Sequence, residues 1–286
     1  MNPILLDGKK LSEKLLTRLK DNFGEKSKKY KLIILTVGDD PASKVYVRNK
    51  LKACERVGIE SEHIILDPDM QEVDYESFLI DLLSEHVYDI ASPYYKVGII
   101  LQLPVPRPMF EKVFNETIPP LVDVDGFGTH NKLALYSKGQ EPANYPATPK
   151  GIMTLLNNYN IDVEGKHVVI VGRSEIVGKP LAQMMLDKNA TVTICHSKTK
   201  NLESITKTAD ILIAAIGKPK FITDKHVKQG AVVIDVGINR TETGLCGDVD
   251  FDFVAPRCAA ITPVPGGVGP MTVYSLIENI LSNSLE

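Results

Sequence analysis

Lys166–Pro180 reads KHVVIVGRSEIVGKP. Its first apolar run, His167–Val171, is β-branched and has the length of a buried strand. Gly172 breaks the run, and after Gly178 the residues Lys179 to Leu186 have helix-forming composition, with Pro180 in the first turn. A strand that stops at glycine and restarts as a helix sets helix-terminal N–H groups beside the strand end, an arrangement that binds phosphate. Gly172 and Gly178 let the backbone approach an anion with no side chain in the way. Five residues separate them, so the spacing is not G-x-G-x-x-G. The pattern alone fits a nucleotide loop and an ordinary strand–loop–helix unit alike.

The next strand, Thr191–Cys195, sharpens the reading. An NAD-binding unit carries Asp or Glu for the ribose hydroxyls about 20 residues past its glycines. Here the strand runs into His196-Ser197-Lys198-Thr199-Lys200, with no acid. Hydroxyls and cations suit a 2′-phosphate, and Arg173 in the glycine loop is a further cation. The expectation is NADP rather than NAD; a plain solvated turn over Ser197 to Lys200 is the alternative.

Around this core the chain is 286 residues long, enough for one large or two medium domains. A hydrophobic content of 43% with 24% charged residues belongs to an ordinary globular protein, and a net charge of −3 gives no basic field for nucleic acid. Cys54, Cys195, Cys246 and Cys258 lie far apart without C-x-x-C or paired histidines, which argues against structural zinc and a disulfide framework. No signal-peptide pattern opens the sequence, and no apolar run approaches the ~20 residues of a membrane span, so a cytoplasmic location is expected.

Working outward, strands and helices alternate. Helix is predicted over Lys9–Asn22, strand over Tyr30–Val37, and helix from Asp40-Pro41 to Val57, stopped by Gly58. Strand follows at Glu62–Leu66, helix at Tyr75–Glu85, a loop at Tyr88–Lys96 and strand at Val97–Leu101. A proline-dense loop after Gln102 leads to a helix at Met109–Asn115. Lys132–Tyr145 is irregular and polar and places the domain boundary, giving domains 1–145 and 146–269. Thr148-Pro149 caps a helix at Lys150–Asn157. Further strands are predicted at Asp210–Ile216, Ala231–Val236 and Ala259–Ile261. A closing helix, within 270–286, is expected to return to the first domain. The fold class is therefore α/β, with two domains of mostly parallel sheet flanked by helices and a cleft between them, the second of Rossmann type.

Tyr46 and Lys50 stand four apart on one helix face. Short-chain dehydrogenases use such a pair, but after their cofactor unit, and here it precedes Gly172. Most Tyr-x-x-x-Lys patterns are simply surface. Asp123-Val124-Asp125-Gly126 fits a turn, the commoner role of Asp-Gly.

Taken together, VGDDPASKVYVRNKLKACERVGI (37–59), ILQLPVP (100–106), DVDGF (123–127), ATPKGI (147–152), VVIVGRSEIVGKPLA (168–182), TVTICHSKT (191–199), VIDVGIN (233–239), GDVDF (247–251) and ITPVPGGVGPMT (261–272) fall in one order along most of the chain. In them the sequence resembles the bifunctional methylenetetrahydrofolate dehydrogenase/cyclohydrolase family. The resemblance implies oxidation of 5,10-methylenetetrahydrofolate with NADP⁺, then hydrolysis of the methenyl product to 10-formyltetrahydrofolate. It implies that Lys50 is the catalytic lysine, hydrogen-bonded by Gln102, that Tyr46 stacks on or brackets folate, and that Asp125 binds the pterin. It further implies cofactor contacts at Thr148, Gly172, Arg173, Ser174, Ile176, Ser197 and Ile238, with Arg173 and Ser197 reading the 2′-phosphate. Pro265, Gly266 and Gly269 would line folate near the nicotinamide. Tetrahydrofolate derivatives are the implied ligands and a homodimer the implied assembly, with neither nucleic acid, membrane nor metal as a partner.

The chain departs from the family at Lys96-Val97-Gly98, where many relatives have Val-Asp-Gly, and over a longer stretch from Glu85 to Lys96. Both are expected to alter a surface loop. A monofunctional dehydrogenase would dispense with Lys50 and Gln102, and a non-enzymatic folate or nucleotide sensor with Lys50; both residues are present. An amino-acid dehydrogenase shares the two-domain plan, but its carboxylate-binding cation and lysine have no identifiable counterparts.

Overall fold

The computed structural model describes residues 3–89, 91–242 and 244–282. In chain order its first elements are β1 (Ile4–Leu5), α1 (Gly8–Phe23), β2 (Tyr30–Val37), α2 (Pro41–Val57), β3 (Glu60–Leu66), α3 (Glu72–His86), β4 (Lys96–Leu101), α4 (Pro108–Thr117), α5 (Thr129–Tyr136) and α6 (Ala147–Asn158). There follow β5 (His167–Val171), α7 (Gly178–Asp187), β6 (Thr191–Cys195), α8 (Leu202–Thr206), β7 (Ile211–Ala214), β8 (Val232–Asp235), β9 (Asn239–Thr241), β10 (Gly244–Cys246), α9 (Phe251–Val254), β11 (Ala260–Ile261) and α10 (Val268–Ser282).

Two compact units result: Lys14–Ala147 with Val273–Glu286, and Met1–Glu13 with Thr148–Thr272. The ends at 1–2 and 283–286, the latter part of the expected closing helix, lie outside the described residues, as does Ile90 in the 85–96 stretch.

In the first of these units β2 is the middle strand of a parallel sheet ordered β3-β2-β4. All eight of its residues are buried. A strand covered on both faces needs a continuous apolar run, which is why YKLIILTV lacks polar alternation. Lys31 is the charged exception; its ammonium reaches Glu62 at 2.8 Å and lies over the Tyr94 ring. One core face combines Ile33, Leu35, Ile99, Tyr75, Leu79 and Phe110.

In the other unit six parallel strands run in the order β1-β11-β8-β7-β5-β6. Order reverses beside β5, so the glycine loop after Val171 emerges at the switch point, where such sheets bind ligands. β9 and β10 form a separate antiparallel hairpin.

Four expectations from sequence change. The N-terminal segment, placed in domain 1–145, groups with the second unit: β1 pairs with β11, the Lys9 N–H donates to the Gly266 carbonyl at 2.8 Å, and the Asp7 N–H to the Tyr159 hydroxyl at 2.9 Å. Within the stretch 132–145, read as irregular, residues up to Tyr136 belong to α5, which buries only Asn131 and Leu135 and so has a weak apolar rhythm. Thr148 and Pro149 lie inside the first turn of α6 and do not precede it. Lys96 is no surface loop residue: it opens β4 at 8% exposure, and its ammonium donates to the Asn279 carbonyl near the end of α10 at 2.6 Å.

Candidate active site

α2 presents Tyr46 and Lys50 because its start is firmly set. Asp40 is the N-cap, its carboxylate accepting from the Ser43 N–H (2.8 Å) and hydroxyl (2.9 Å), and Pro41 occupies the first turn. Gly58, at φ +90°, ends the helix as the spacing predicted. Two turns into α2 lies Tyr46, 38% exposed, its phenol pushed up by burial. One turn further Lys50 is 5% exposed, and its ammonium lies 3.5 Å from Oδ2 of Asp125.

Asp125 is placed by its neighbour. The Asp123 carboxylate accepts from the N–H groups of Gly126 (3.0 Å), Phe127 (3.3 Å) and Gly128 (2.7 Å) and from the Asn131 side-chain amide (2.8 Å). Asp123 is fully buried; burial pushes its carboxyl up while these donors hold it down. Gly126, at φ +73°, turns against Asn144–Pro146, where a Cβ would meet the Pro146 nitrogen at 2.6 Å. The reading of this segment as a turn therefore holds, and the turn carries Asp125 to Lys50.

Gln102 follows β4 but makes no hydrogen bond with Lys50, contrary to expectation. Its Nε2 donates to the adjacent Leu103 carbonyl at 2.8 Å, while Oε1 is buried with no hydrogen-bond partner among the described residues. An orphaned buried acceptor carries a desolvation penalty that a donor at that point would relieve.

In the second unit, β5 and β6 are in register, Val171 opposite Cys195, and the Gly172 N–H donates to the Cys195 carbonyl at 2.9 Å. Arg173 and Ser197 thus stand at equal distances past a paired position, and both are exposed. The two glycines are tightly packed. A Cβ on Gly172 would lie 2.2 Å from the Ala215 carbonyl oxygen, and one on Gly178 would lie 2.3 Å from that of Gly172. Ser174 caps the loop, its Oγ accepting from the Val177 (3.2 Å) and Gly178 (3.3 Å) N–H groups. Ile176 is half-buried in the same loop. A close-packed glycine pair with exposed Arg and Ser past paired strand ends, and no acid at 196–200 after β6, fits a phosphorylated dinucleotide.

Other expected residues also gather in this unit. Gly269 lies against Ile238, where an added Cβ would meet its Cδ1 at 3.3 Å. The Thr148 hydroxyl pairs with that of Thr272 at 3.0 Å. Gly266 has φ +106°, and Pro265 is exposed beside it.

A family model described as tetrahydrofolate dehydrogenase/cyclohydrolase, catalytic domain, matches residues 6–125, and its NAD(P)-binding domain counterpart matches residues 146–286. The bifunctional protein FolD of Acholeplasma laidlawii is 50% identical over 277 residues, spanning 97% of this chain and 96% of its own. The chain belongs to the tetrahydrofolate dehydrogenase/cyclohydrolase family.

Solved members of the family have the same fold. The FolD methylenetetrahydrofolate dehydrogenase/cyclohydrolase of Campylobacter jejuni is 42% identical, with a TM-score of 0.88 over 97% of each chain. The Trypanosoma brucei enzyme, solved with NADP cofactor and an inhibitor, is 31% identical with a TM-score of 0.88, covering 99% of this chain and 97% of that one. Among the described residues no helix is long and apolar enough to cross a membrane, and no group of three His, Cys, Asp or Glu could hold a metal ion.

Sequence reading missed the buried acids behind these family segments. Asp123 was read only as part of a turn, and Asp235 and Asp248 stood only within VIDVGIN and GDVDF. The usable signal was an acid within three residues of a glycine in each, which is also the signature of an ordinary turn.

Proposed function

We propose that Lys50, Asp125, Tyr46 and Gln102 serve the folate chemistry of this enzyme, and that Arg173, Ser197 and the Gly172–Gly178 loop hold its NADP. The chain is an NADP-dependent methylenetetrahydrofolate dehydrogenase and methenyltetrahydrofolate cyclohydrolase. The observation that carries the assignment is the meeting of buried Lys50 with Asp125, 75 residues away in sequence.

Hydrolysis adds water to the amidinium carbon of the methenyl group. Of the two protons the water brings, one passes by way of the Lys50 amine to the ring nitrogen as the C–N bond opens, and the other leaves to solvent as the C–OH becomes the formyl C=O on the other nitrogen. Asp125 accepts N–H groups of the pterin edge, as a carboxylate suits paired donors. Gln102 Oε1, with no partner among the described residues, receives a proton donor there: the lysine or the attacking water. The half-exposed Tyr46 ring offers a flat apolar face to the folate.

For the oxidation, bound NADP⁺ supplies the hydride acceptor. The chain contributes alignment more than acid–base chemistry. Arg173 and Ser197 take the 2′-phosphate, Gly172, Ser174 and Ile176 line the loop beneath the cofactor, and Thr148 and Ile238 border it. Pro265, Gly266 and Gly269 are assigned to folate by the family resemblance alone. The folate-handling part is Lys14–Ala147 with the chain's end, and the NADP part is Thr148–Thr272 with its beginning. A cytoplasmic homodimer is the assembly that the family resemblance supports.

A spectrophotometric assay tests this. With 5,10-methylenetetrahydrofolate, NADP⁺ should be reduced faster than NAD⁺, and added methenyltetrahydrofolate should lose its absorbance faster than in buffer. Reduction without accelerated hydrolysis would remove the role given to Lys50.

A further inference from the structure

Asp248 is fully buried and lies on none of the strands that bear the cofactor residues. Its Oδ2 accepts from the N–H groups of Ile216 (2.6 Å) and Gly217 (2.9 Å), and its Oδ1 from the Lys218 N–H (2.9 Å). Oδ1 also accepts from the Asn239 side-chain amide at 2.9 Å. Ile216–Lys218 is the loop leaving β7, and Asn239 ends the loop leaving β8. One carboxylate therefore gathers two loops at the carboxyl edge of the sheet, the edge at which parallel sheets bind ligands.

The brace continues through the backbone. The Asp248 N–H donates to Oδ1 of Asp235 at 2.9 Å; the same oxygen accepts from Gly237 (3.0 Å), and Oδ2 accepts from Val249 (2.9 Å). The Asp235 N–H in turn donates to the Thr262 hydroxyl at 2.7 Å, at the end of β11. No slack remains: a Cβ on Gly237 would lie 2.2 Å from Asp248 Oδ1, and one on Gly247 would lie 1.8 Å from Asp235 Oδ2. The loop so held presses on the glycine loop, since Ala215 supplies the carbonyl that leaves Gly172 no room for a side chain. Ile238, one residue before the braced Asn239, is 41% exposed and touches Gly269.

We propose that Asp248 is a positioning residue for NADP, fixing through Ile216–Lys218 and Asn239 the backbone that borders the cofactor loop. It touches neither substrate nor cofactor. The inference rests on the assignment of NADP to this edge of the sheet. An anion can hold three successive N–H groups and an amide at once because a carboxylate has acceptor capacity to spare and no donor. An asparagine turns one of those oxygens into an N–H₂ group that faces donors, so half of the set loses its acceptor.

The test compares Asp248→Asn and the milder Asn239→Ala with the parent, measuring both reactions of each protein. Asp248→Asn should raise the KM for NADP⁺ by at least about tenfold, as loss of hydrogen bonds to a charged group implies. The kcat at saturating NADP⁺ should change by less than about threefold, and hydrolysis of methenyltetrahydrofolate, which uses no dinucleotide, should keep its rate. Asn239→Ala should shift the same KM in the same direction by a smaller factor. An unchanged KM in either folded variant overturns the proposal. So does a parallel fall of both activities in both variants, which would make Asp248 a general stabiliser. Arg173→Ala serves as the reference: if it raises the KM for NADP⁺ while Asp248→Asn does not, the inference fails and the cofactor assignment stands. If Arg173→Ala does nothing, the assignment itself fails.

Discussion

Asp123 and Asp248 hold backbone in the same way, each accepting three successive N–H groups and one asparagine amide, and each is fully buried. They differ in reach. Asp123 closes on Gly126–Gly128, three to five residues along the chain, and so builds a local turn. Asp248 closes on Ile216–Lys218, 30 to 32 residues back, and so joins separate loops. The local turn delivers a neighbouring carboxylate, Asp125, to Lys50; the distant brace delivers backbone to the edge of a sheet. An anion among N–H groups is thus a general fastener, and what it fastens depends on how far the chain travels to meet it.

The sharpest way to separate the two halves is Lys50→Met. It should lower cyclohydrolysis by on the order of 100-fold or more and markedly slow the dehydrogenase in a protein that still folds, as expected for loss of a general base. Full hydrolysis in this variant, read from the methenyl absorbance, would detach the lysine from the chemistry. Next comes Arg173→Ala, which should raise the KM for NADP⁺ by roughly tenfold or more and leave that for NAD⁺ nearly unaltered, since only the former carries the charged 2′-phosphate. An equal effect on the two dinucleotides would assign Arg173 elsewhere.

Asp125→Ala should weaken folate binding by about tenfold with the KM for NADP⁺ unmoved, the mirror image of the effect expected at Asp248. A shift in both constants would show that the halves are not separable in this way. The smallest effect is one of pH. Burial pushes the Asp235 carboxyl up to about 7, against the N–H groups of Val249, Asp248 and Gly237 that hold it down. The unfolded chain releases that proton near ~3.9, so between these values the folded state binds the extra proton. This contribution to stability is complete at low pH and is lost as pH rises toward about 7. Thermal midpoints from pH 4 to 8 should accordingly fall less steeply in Asp235→Asn than in the parent, and parallel curves would refute the titration.

Much of the fold was legible because it is written in local periodicity. β2, β5 and β6 have the ends that their apolar runs predicted, and α2 has the cap at Asp40 and the stop at Gly58. α5 escaped because two buried residues make no rhythm, and β1 because two residues make no pattern at all; its side chains are exposed and it exists through its pairing with β11. Within the site, the glycine loop, the acid-free end of β6 and the Tyr46–Lys50 spacing were visible. The partner of Lys50 was not: resemblance pointed to Gln102, while the structure places Asp125 at 3.5 Å and leaves Gln102 Oε1 without a partner among the described residues.

By itself the sequence determined the alternation of strands and helices, the glycine pair at 172 and 178, the acid-free turn at 196–200 and the helix that aligns Tyr46 with Lys50. Each is set within a few residues, by sterics at glycine, by capping and by the 3.6-residue turn. Only the tertiary structure decided that Lys50 meets Asp125, that Lys96 reaches the Asn279 carbonyl of α10, that β1 joins the second sheet and that Asp248 clasps the loops after β7 and β8. Those contacts join polar groups from distant parts of the chain. Such groups pair when burial has removed water as the competing partner, and which ones are buried together follows from how the sheets are assembled.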